Sequence, residues 1–414
     1  MPRFDHFVCT QCGCVCDDLS IETDGHRISS SSGACRIAQA WFESRAHPES
    51  RSFIDQAPVP FGDALHRAVE ILSASRSPLI FGLSHSSTEA QRHAVALAET
   101  LRGTIDTTAS TGHAPSIVAL QQVGESTCTL GEVRQRADLV IYWGCDPDLT
   151  HPRHRERSSP DRPGRTIVVV DDEANETRLH AGLDVRVEAG QHLPALATLR
   201  LLTAGHAVPA SRELVALAGL VRECRFGIVF FGRGITAEPV ANRVVEELLK
   251  WVGELNRDRR FYARRLRRSG DVAGADSVLA WQTGYPFAVN FSAGYPRSNP
   301  GEFSGPEMLA RGEIDACLLV GRSTDLPAAA VAAAERIPLI AIESAGERHA
   351  RPPAVRFITA DYGLHRPGTA YRMDEVAIPL RAVLSSDLPS DAEVLEEIHR
   401  RIRARSASPG RSRG

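Results

Sequence analysis

Five of the nine cysteines lie within the first 35 residues. Four of these, Cys9, Cys12, Cys16 and Cys35, have the spacing C-x2-C-x3-C-x18-C. Four thiolates can hold a 4Fe-4S cluster in a reducing compartment, where cysteines serve as metal ligands or reactive groups and not as structural disulfides. Two alternatives stay open: an empty site that has lost its cluster, and a four-cysteine zinc site. Zinc is the least favoured of the three, because Cys35 lacks the second cysteine of a usual zinc knuckle.

Turns that follow predicted strands form a second group of candidate residues. Leu83-Ser-His-Ser-Ser87 follows the apolar run Pro78–Gly82, and Gly232-Arg-Gly234 follows the run that starts at Phe226. Backbone N–H groups at such positions bind phosphate when a helix comes next. Neither segment has the G-x-G-x-x-G spacing of a dinucleotide-binding turn, so plain turns are the alternative.

The elements that must position these residues are apolar strands that alternate with amphipathic helices. The runs Pro78–Gly82, Leu139–Trp143 and Thr166–Val170 are rich in Val, Leu or Ile and are bounded by Gly or Asp. Such alternation predicts parallel sheets that are covered by helices on both faces. The expected fold class is therefore α/β.

The second half of the sequence resembles the first half in the order of its elements. Each half has a strand and helix, a strand that ends in Gly, a strand that ends in an acid, and one further strand. The matching segments are Pro78–Gly82 with Phe226–Gly232, Ala137–Gly144 with Ile314–Gly321, Thr166–Asp171 with Ile337–Glu343, and Val185–Gly190 with Ala354–Asp361. This repeat predicts two Rossmann-like parallel-sheet lobes.

The expected domain boundaries follow from the repeat and from a change in composition after the cysteines. A small N-terminal cysteine-rich domain of the 4Fe-4S type spans residues 1–57. The first Rossmann-like lobe spans 58–200 and the second spans 201–384, and the two lobes can interleave. Residues 385–414 are expected to form a helix near Ala392–Arg403 and then a disordered tail rich in Ser, Gly and Arg.

The composition of the chain argues against several classes of protein. At 414 residues, with 43% hydrophobic and 24% charged residues, it is typical of a globular chain with more than one domain. No apolar run approaches the roughly 20 residues that span a bilayer. The start MPRFDHFVC does not resemble an export signal, so we expect a cytoplasmic protein without a membrane partner. A net charge of −3 gives no field that attracts nucleic acid.

The cysteine-rich start resembles the cluster-binding segment of molybdopterin oxidoreductases. The phrases ADLVIYWGCDP (137–147), THPRHRERSS (150–159) and GYPRSNPGEF (294–303) resemble the B subunit of tungsten or molybdenum formylmethanofuran dehydrogenase, and the resemblance covers nearly the whole chain. That family places the pterin-binding β-barrel in a separate D subunit, and this sequence likewise has no barrel after its lobes. The resemblance implies that pterin guanine dinucleotides face the strand ends at Gly82, Ser84, Gly144, Gly232 and Gly321.

The same resemblance implies a cysteine that ligates the metal and a histidine beside it. The matching segment here, Thr107–Ser116, has Gly112 where the cysteine belongs, followed by His113. Glycine has no side-chain donor atom, whereas soft metal sites use thiolate ligands. Gly112 therefore argues against a molybdopterin guanine dinucleotide with tungsten or molybdenum. Cys128, 16 residues further on, is the nearest substitute ligand.

Two stretches with arginine have both a functional and a structural interpretation. Gly294–Phe303 resembles the family's loop that faces the active site, in which Arg297 would contact an anion through its planar fork. An ordinary loop held by Asn and Glu is the alternative. Arg257–Arg268 contains seven arginines and two aromatic residues. We interpret it as a solvated helix face in preference to a docking surface for an acidic neighbour.

The resemblance implies a subunit of a complex that handles formylmethanofuran. In the related formyltransferase/hydrolase complex, the A subunit releases formate and the D subunit transfers the formyl group, while the B subunit lacks redox activity. Gly112 fits a B subunit without redox activity, because glycine has no side-chain ligand for the metal. We therefore expect a structural B subunit with A, C and D subunits as partners and a methanofuran-type substrate. The alternative is a redox-active dehydrogenase subunit with a molybdenum or tungsten pterin centre and a 4Fe-4S cluster.

Overall fold

The computed structural model describes residues 1–43, 51–172, 175–268 and 270–407. Its strands are short, of two to six residues each. In chain order they are β1 (Arg3–Phe7), β2 (Leu19–Thr23), β3 (Ile28–Ser32), β4 (Ser52–Ile54), β5 (Ala57–Pro58), β6 (Pro78–Gly82), β7 (Thr104–Thr107), β8 (Leu139–Trp143), β9 (Thr166–Val170), β10 (Leu183–Val185), β11 (Phe226–Phe231), β12 (Arg260–Arg265), β13 (Val289–Asn290), β14 (Arg297–Ser298), β15 (Ala316–Val320), β16 (Leu339–Ser344), β17 (Val355–Thr359), β18 (Gly368–Tyr371) and β19 (Ala377–Leu380).

The α-helices range from four to 17 residues. Ser87, Thr129 and Ser211 each cap a helix, because their side chains accept a hydrogen bond from a backbone N–H of the first turn. In chain order the helices are α1 (Arg36–Glu43), α2 (Phe61–Ala74), α3 (Thr88–Leu101), α4 (Ala114–Val123), α5 (Leu130–Arg136), α6 (Pro147–Thr150), α7 (His154–Ser158), α8 (His192–Thr203), α9 (Arg212–Glu223), α10 (Arg233–Thr236), α11 (Ala241–Leu255), α12 (Val272–Thr283), α13 (Gly305–Ala310), α14 (Ala328–Ala334) and α15 (Asp391–Ala407).

An antiparallel sheet of β1, β2 and β3 forms the N-terminus. Leu19 and Ile21 of β2 are buried while the residues between and around them are less so, as expected for a strand with one covered face. Phe7 at the end of β1 stacks on Trp41 of α1, with 6.3 Å between ring centroids. The segment that carries Cys9 to Cys16 therefore runs between two paired strands.

The chain divides into two compact units, residues 112–268 and residues 1–111 with 269–414. The unit of residues 112–268 has a parallel sheet in the order β10-β9-β8-β11-β12. Every residue of β8 and β11 is buried, because helices cover both faces of the sheet. Trp143 of β8 and Trp251 of α11 are the largest side chains of this core.

The other unit contains a nine-stranded sheet in the order β14-β13-β7-β6-β15-β16-β17-β4-β5. Its five central strands are parallel: β7, β6, β15, β16 and β17. The short strands at both edges are antiparallel. Helices α2, α3, α12 and α15 pack on one face with Ile80, Leu318 and Ile342. Helix α13 lies on the opposite face, where Gly305 approaches Leu79 and Phe81.

The five parallel strands have the same order in both units. In one unit the order is β7-β6-β15-β16-β17, and in the other it is β12-β11-β8-β9-β10. Each sheet therefore takes its first two strands from one half of the sequence and its other three from the other half. The pairs that join the halves are β6 with β15, and β8 with β11. The expected parallel α/β class is confirmed.

The lobes expected at 58–200 and 201–384 were expected to be able to interleave, and the compact units have different bounds from them. The strands of those ranges interleave, because β6 pairs with a strand that begins at Ala316 and β8 pairs with one that begins at Phe226. Hydrophobic periodicity locates a strand but does not indicate which distant strand lies beside it. The N-terminal range 1–57 lies within the larger unit.

Two other expectations need correction. Arg257–Arg268 is not a helix face: strand β12 occupies Arg260–Arg265, and the side chains of Arg264, Arg265 and Arg267 are buried. The C-terminal helix is longer than expected and reaches Ala407. The expected disordered tail from residue 408 onward lies outside the described residues. Within the described part of the chain, no helix has both the length and the apolar character required to cross a membrane.

Asp106 on β7 joins two later segments to the sheet. Its carboxylate accepts hydrogen bonds from the backbone N–H groups of Ala288, at 2.9 Å, and Gly305, at 2.7 Å. Complete burial raises its pKa to about 7, although these hydrogen bonds act in the opposite direction. Asp106 thereby links β7 to the segment before β13 and to the start of α13.

The substitution Asp106→Asn should change how the free energy of unfolding depends on pH. A carboxyl group whose pKa is raised by folding stabilises the protein fully below its unfolded pKa of about 4, and this contribution is lost as the pH rises through the folded pKa of about 7. Asparagine does not titrate. Urea unfolding should show wild-type stability, relative to the variant, falling by on the order of 4 kcal/mol across this window. A difference that does not change with pH would contradict the assignment.

Candidate functional site

The loop between β1 and β2 brings four cysteines together. The backbone N–H of Cys9 donates to the carbonyl of Cys16 at 2.8 Å, and that of Val15 donates to the carbonyl of Cys12 at 3.1 Å. Val15 has a φ of 36°, an uncommon conformation for a β-branched residue. Cys9, Cys12, Cys14 and Cys16 are all buried. We call this segment, residues 9–16, the cysteine loop.

The thiols of the cysteine loop affect one another electrostatically. Burial raises the pKa of Cys9 well above its usual value, and the charges of Cys12, Cys16 and Cys35 raise it further. Cys35 directly precedes α1 and lies close enough to contribute to this effect. None of the nine cysteines, all of which are among the described residues, forms a disulfide.

The donor set of this loop fits an iron–sulfur cluster by its chemistry. Such clusters are held by cysteine thiolates, and four are present here. A bound metal would also relieve the mutual repulsion of the thiolates, because thiolate ligation favours the deprotonated form. Within the described residues, no group of three or more His, Cys, Asp or Glu side chains is arranged to hold a metal ion.

The cysteine loop lies against the carboxyl ends of parallel strands in the larger unit. The guanidinium of Arg322, after β15, donates to the side-chain oxygen of Gln11, and the backbone N–H of Met373 donates to the carbonyl of Gly13 at 2.8 Å. A narrow cavity of about 30 Å³ separates Gln11 from Glu343 of β16 and Asp361 after β17. Carboxyl ends of parallel strands are the usual ligand site of open α/β sheets.

The sequence candidates at the strand ends of this unit have partners within the protein. Gly82 has a φ of 110°, and a Cβ atom there would lie 2.4 Å from the carbonyl oxygen of Val320 on β15. A Cβ atom on Gly321 would lie 2.8 Å from the carboxylate of Asp325. The buried hydroxyl of Ser84 bonds with that of Thr108. Close packing within the unit thus accounts for these residue types.

Gly144 and Gly232 lie side by side at the strand ends of the unit of residues 112–268. A Cβ atom on Gly144 would lie 2.9 Å from the backbone nitrogen of Ile235, and one on Gly232 would lie 2.6 Å from the Cβ of Cys145. The backbone N–H of Gly234 donates to the carbonyl of Gly144 at 2.8 Å. These glycines allow α10 to pack directly on the end of β8.

Gly112 and His113 precede α4 in the same unit. A Cβ atom on Gly112 would meet nothing within 4 Å, so the position where the resemblance places a cysteine is open. The carbonyl of Gly112 accepts a hydrogen bond from Thr236 at 2.7 Å. His113 is buried, and its Nδ1 atom has no hydrogen-bond partner.

Positive charge surrounds His113. Burial lowers the pKa of its imidazole well below the usual value, and the charges of Arg267, Arg265 and Arg233 lower it further. Two of these arginines belong to Arg257–Arg268, so that stretch contributes to the surroundings of His113. The imidazole is therefore neutral near pH 7.

The remaining sequence candidates occupy different places. Arg297 lies on the edge strand β14, where its guanidinium stacks on Phe303 at 5.0 Å from the ring centroid. Cys128 is buried just before α5, and its carbonyl accepts a hydrogen bond from Arg264 at 3.0 Å.

Two buried acids were not selected from the sequence. Asp271 accepts hydrogen bonds from the backbone of Tyr371 and Gly274, and burial raises its pKa well above the usual value. Glu343 is the penultimate residue of β16, and its carboxylate bonds with both His349 and Arg356. The repeated strand ending in an acid pointed to Glu343, but nothing in the sequence around Asp271 distinguishes it from an ordinary helix cap.

The geometry defines a class of protein: a doubly wound α/β chain whose cysteine loop lies at the carboxyl ends of parallel strands. Solved structures share this fold. The formyltransferase/hydrolase complex FhcABCD from Methylorubrum extorquens, in complex with methylofuran, includes a chain that is 25% identical, with a TM-score of 0.71 over 86% of this chain and 100% of that one. Acetylene hydratase from Pelobacter acetylenicus is 9% identical, with a TM-score of 0.67 over 98% of this chain and 70% of that one.

Sequence relatives identify the family more narrowly. The B subunit of tungsten-containing formylmethanofuran dehydrogenase 2 from Methanococcus maripaludis is 32% identical over 97% of this chain and 99% of its own length. The same subunit from Methanocaldococcus jannaschii is 33% identical, over 96% and 98%. The B subunit of the formyltransferase/hydrolase complex Fhc from Methylorubrum extorquens is 27% identical, over 62% and 70%. The chain belongs to the family of formylmethanofuran dehydrogenase B subunits. No protein-family model matches it.

The open space at Gly112 predicts an unequal response to two glycine substitutions. Gly112→Cys should change the free energy of unfolding by less than about 1 kcal/mol, because a Cβ atom there would meet nothing within 4 Å. Gly234→Ala should destabilise by roughly 2–3 kcal/mol, because its Cβ would lie 2.6 Å from the Cα of Gly144. Thermal and urea unfolding of both variants test this. Equal destabilisation by the two substitutions would refute the description of the site.

Proposed function

We propose that the chain is the B subunit of a complex that handles formylmethanofuran, and that it supports formyl transfer and hydrolysis without a redox reaction of its own. The observation that carries this proposal is Gly112, which has no donor atom at the position of the family's metal ligand. Partner subunits of the A, C and D types carry the chemistry on a methanofuran-type substrate. The FhcABCD complex with methylofuran supports this assignment.

The surroundings of Gly112 do not supply another soft ligand. His113 is neutral and buried, but imidazole is not a thiolate, and the arginine charges near it oppose the approach of a metal cation. Cys128 lies beyond α4, and its carbonyl is engaged by Arg264. The residues therefore do not fit a tungsten or molybdenum pterin centre with a cysteine ligand, and we assign no step to one.

The cysteine loop has a separate role in this proposal. Cys9, Cys12, Cys16 and Cys35 would hold a 4Fe-4S cluster as a structural group, retained from a redox-active ancestor. The burial of Cys9, Cys12 and Cys16 in one short loop supports the assignment, because cysteine thiolates are the ligands of such clusters. Such thiol ligands require a reducing compartment, so we place the complex in the cytoplasm.

A redox-active dehydrogenase subunit is the second candidate. Two observations favour it. The B subunits of the tungsten-containing enzymes match almost the whole chain, and all four cysteines of the C-x2-C-x3-C-x18-C spacing are present. In that case the centre would be held without a cysteine ligand at residue 112. The two candidates differ in whether electrons leave formylmethanofuran.

The purified complex should release formate from formylmethanofuran and should not reduce a viologen dye with that substrate. The physical reason is that Gly112 provides no thiolate for the metal centre that accepts electrons. Both reactions can be followed on the same preparation, together with its tungsten and molybdenum content. Dye reduction that increases with bound tungsten or molybdenum would overturn the structural role and establish the second candidate.

The complex with Gly112→Cys serves as the matched control for this assay. Since the position is open, the variant should assemble and release formate like the wild type. Loss of formate release in the variant would show that Gly112 has a different role.

Anaerobically purified wild-type chain should contain iron and acid-labile sulfide, and Cys12→Ser should lose most of both. Serine replaces a thiolate that would bind iron. Cys224→Ser is the matched control, because Cys224 follows α9, outside the cysteine loop, and its thiol donates to the carbonyl of Val221 at 3.2 Å. Equal iron content in the wild type and in both variants would show that the loop holds no cluster.

A further inference from the structure

One face of the nine-stranded sheet is only partly covered. Leu318 of β15 and Ile340 of β16 belong to the core beneath α2, α3, α12 and α15, so their neighbours Leu319 and Leu339 point to the opposite face. On that face lie α13 and α14, of six and seven residues. Parallel strands normally have helices on both faces. Among the described residues of this second face, Ala341 and Glu343 of β16 and Ile358 of β17 are buried, whereas Leu339, Arg356 and Phe53 are partly exposed.

The open part of this face forms a long groove. It consists of two adjoining cavities of about 760 and 440 Å³ that share Gln56, Arg348, His349 and Pro352. Apolar side chains form much of the first cavity, among them Leu326, Val331, Ile337 and Leu339. Together the cavities exceed the roughly 300–1,000 Å³ of a small-molecule site. Their size and shape suit a segment of polypeptide. We call them the sheet groove.

The sheet groove carries an excess of positive charge. Five arginines line it, against three acids, Asp55, Glu335 and Glu347, although the whole chain has a net charge of −3. Two of the arginines are paired: Arg67 with Glu70 and Arg356 with Glu343.

The other three arginines, Arg336, Arg348 and Arg351, form the rim of the groove. They are exposed, and within the described residues none of them has an ion-pair partner. Their guanidinium groups are therefore open to carboxylates from another molecule.

A buried ion cluster fixes the loop that carries two of the rim arginines. Glu343 accepts a hydrogen bond from His349 at 2.6 Å and also bonds with Arg356. The guanidinium of Arg356 in turn donates to the carbonyl of Glu347 at 2.9 Å. The segment from Glu347 to Arg351 is thus anchored to the sheet. Its rim arginines can meet a partner without a prior ordering step, which lowers the entropic cost of binding.

We propose that the sheet groove binds an amphipathic, acidic α-helix of another subunit of the complex. A helix is the element that covers a parallel sheet, and an apolar stripe on it would contact the partly exposed Ile337 and Leu339. Carboxylates beside that stripe would pair with the arginine rim. The inference rests on the proposed function only in taking a partner subunit as the source of the helix.

Photo-cross-linking from Ala350 tests the occupant of the sheet groove. Ala350 lines the groove and is exposed, so a benzophenone amino acid can replace it in the full chain, which is then co-expressed with the A, C and D subunits. The expected product joins Ala350 to an acidic, amphipathic helical peptide of one of these subunits. The same amino acid at Arg92, an exposed position of α3, should not link to that peptide.

Charge reversal of the rim provides a second measurement. R348E with R351E should lower the recovery of the cross-linked subunit about tenfold, because like charges across an interface repel. R92E should leave the recovery unchanged, and both proteins should unfold at the wild-type temperature.

The outcomes separate this inference from the proposed function. If the wild-type complex assembles but the link from Ala350 reaches this chain, a second copy of it or a non-acidic segment, the inference is wrong and the proposed function stands. If no A, C or D subunit is recovered with the wild type, the proposed function fails first. Recovery that resists the charge reversal would also overturn the inference.

Discussion

Two pairings of distant strands determine the rest of the structure. β6 lies beside β15 and β8 lies beside β11, and each pair joins one half of the sequence to the other in parallel register. Because of these pairs, the two sheets have the same strand order although each combines elements of both halves. The strand ends that carry the candidate residues take their positions from the same pairs. Gly82 can approach Val320 only because β6 and β15 are neighbours.

Local patterns in the sequence predicted the strands and the α/β class. These features depend on residue spacing and on apolar runs, which a single sequence displays. The strand pairings could not be predicted, because buried strands of similar composition can pair in several orders. Arg257–Arg268 was misjudged for a related reason: β12 is an edge strand with buried arginines, and charge-rich segments more often form exposed helices.

Glycines in this chain occupy two kinds of position, which differ in whether a side chain would collide with neighbouring atoms. At Gly82, Gly144 and Gly232, a side chain would collide with neighbouring backbone or side-chain atoms, so packing within the fold explains the residue. At Gly112 nothing would collide, and packing explains nothing. The family resemblance marks Gly112 as the place of a missing cysteine, but the sequence does not show which glycines are required by packing. The distances to surrounding atoms show which glycines the fold requires. They also show that a side chain could be accommodated at Gly112.

The exchange of strands between the two halves has a consequence for synthesis of the chain on the ribosome. When residue 200 has emerged, β6 and β8 each have an unpaired edge, because their partners begin at Ala316 and Phe226. The sheet of residues 112–268 has all its strands once β12 has emerged, whereas the larger sheet needs β15 to β17 from later in the chain. Such non-local pairing is slow, and an unpaired edge is open to pairing with another chain. The contiguous unit can therefore complete its sheet while β6 still lacks its partner.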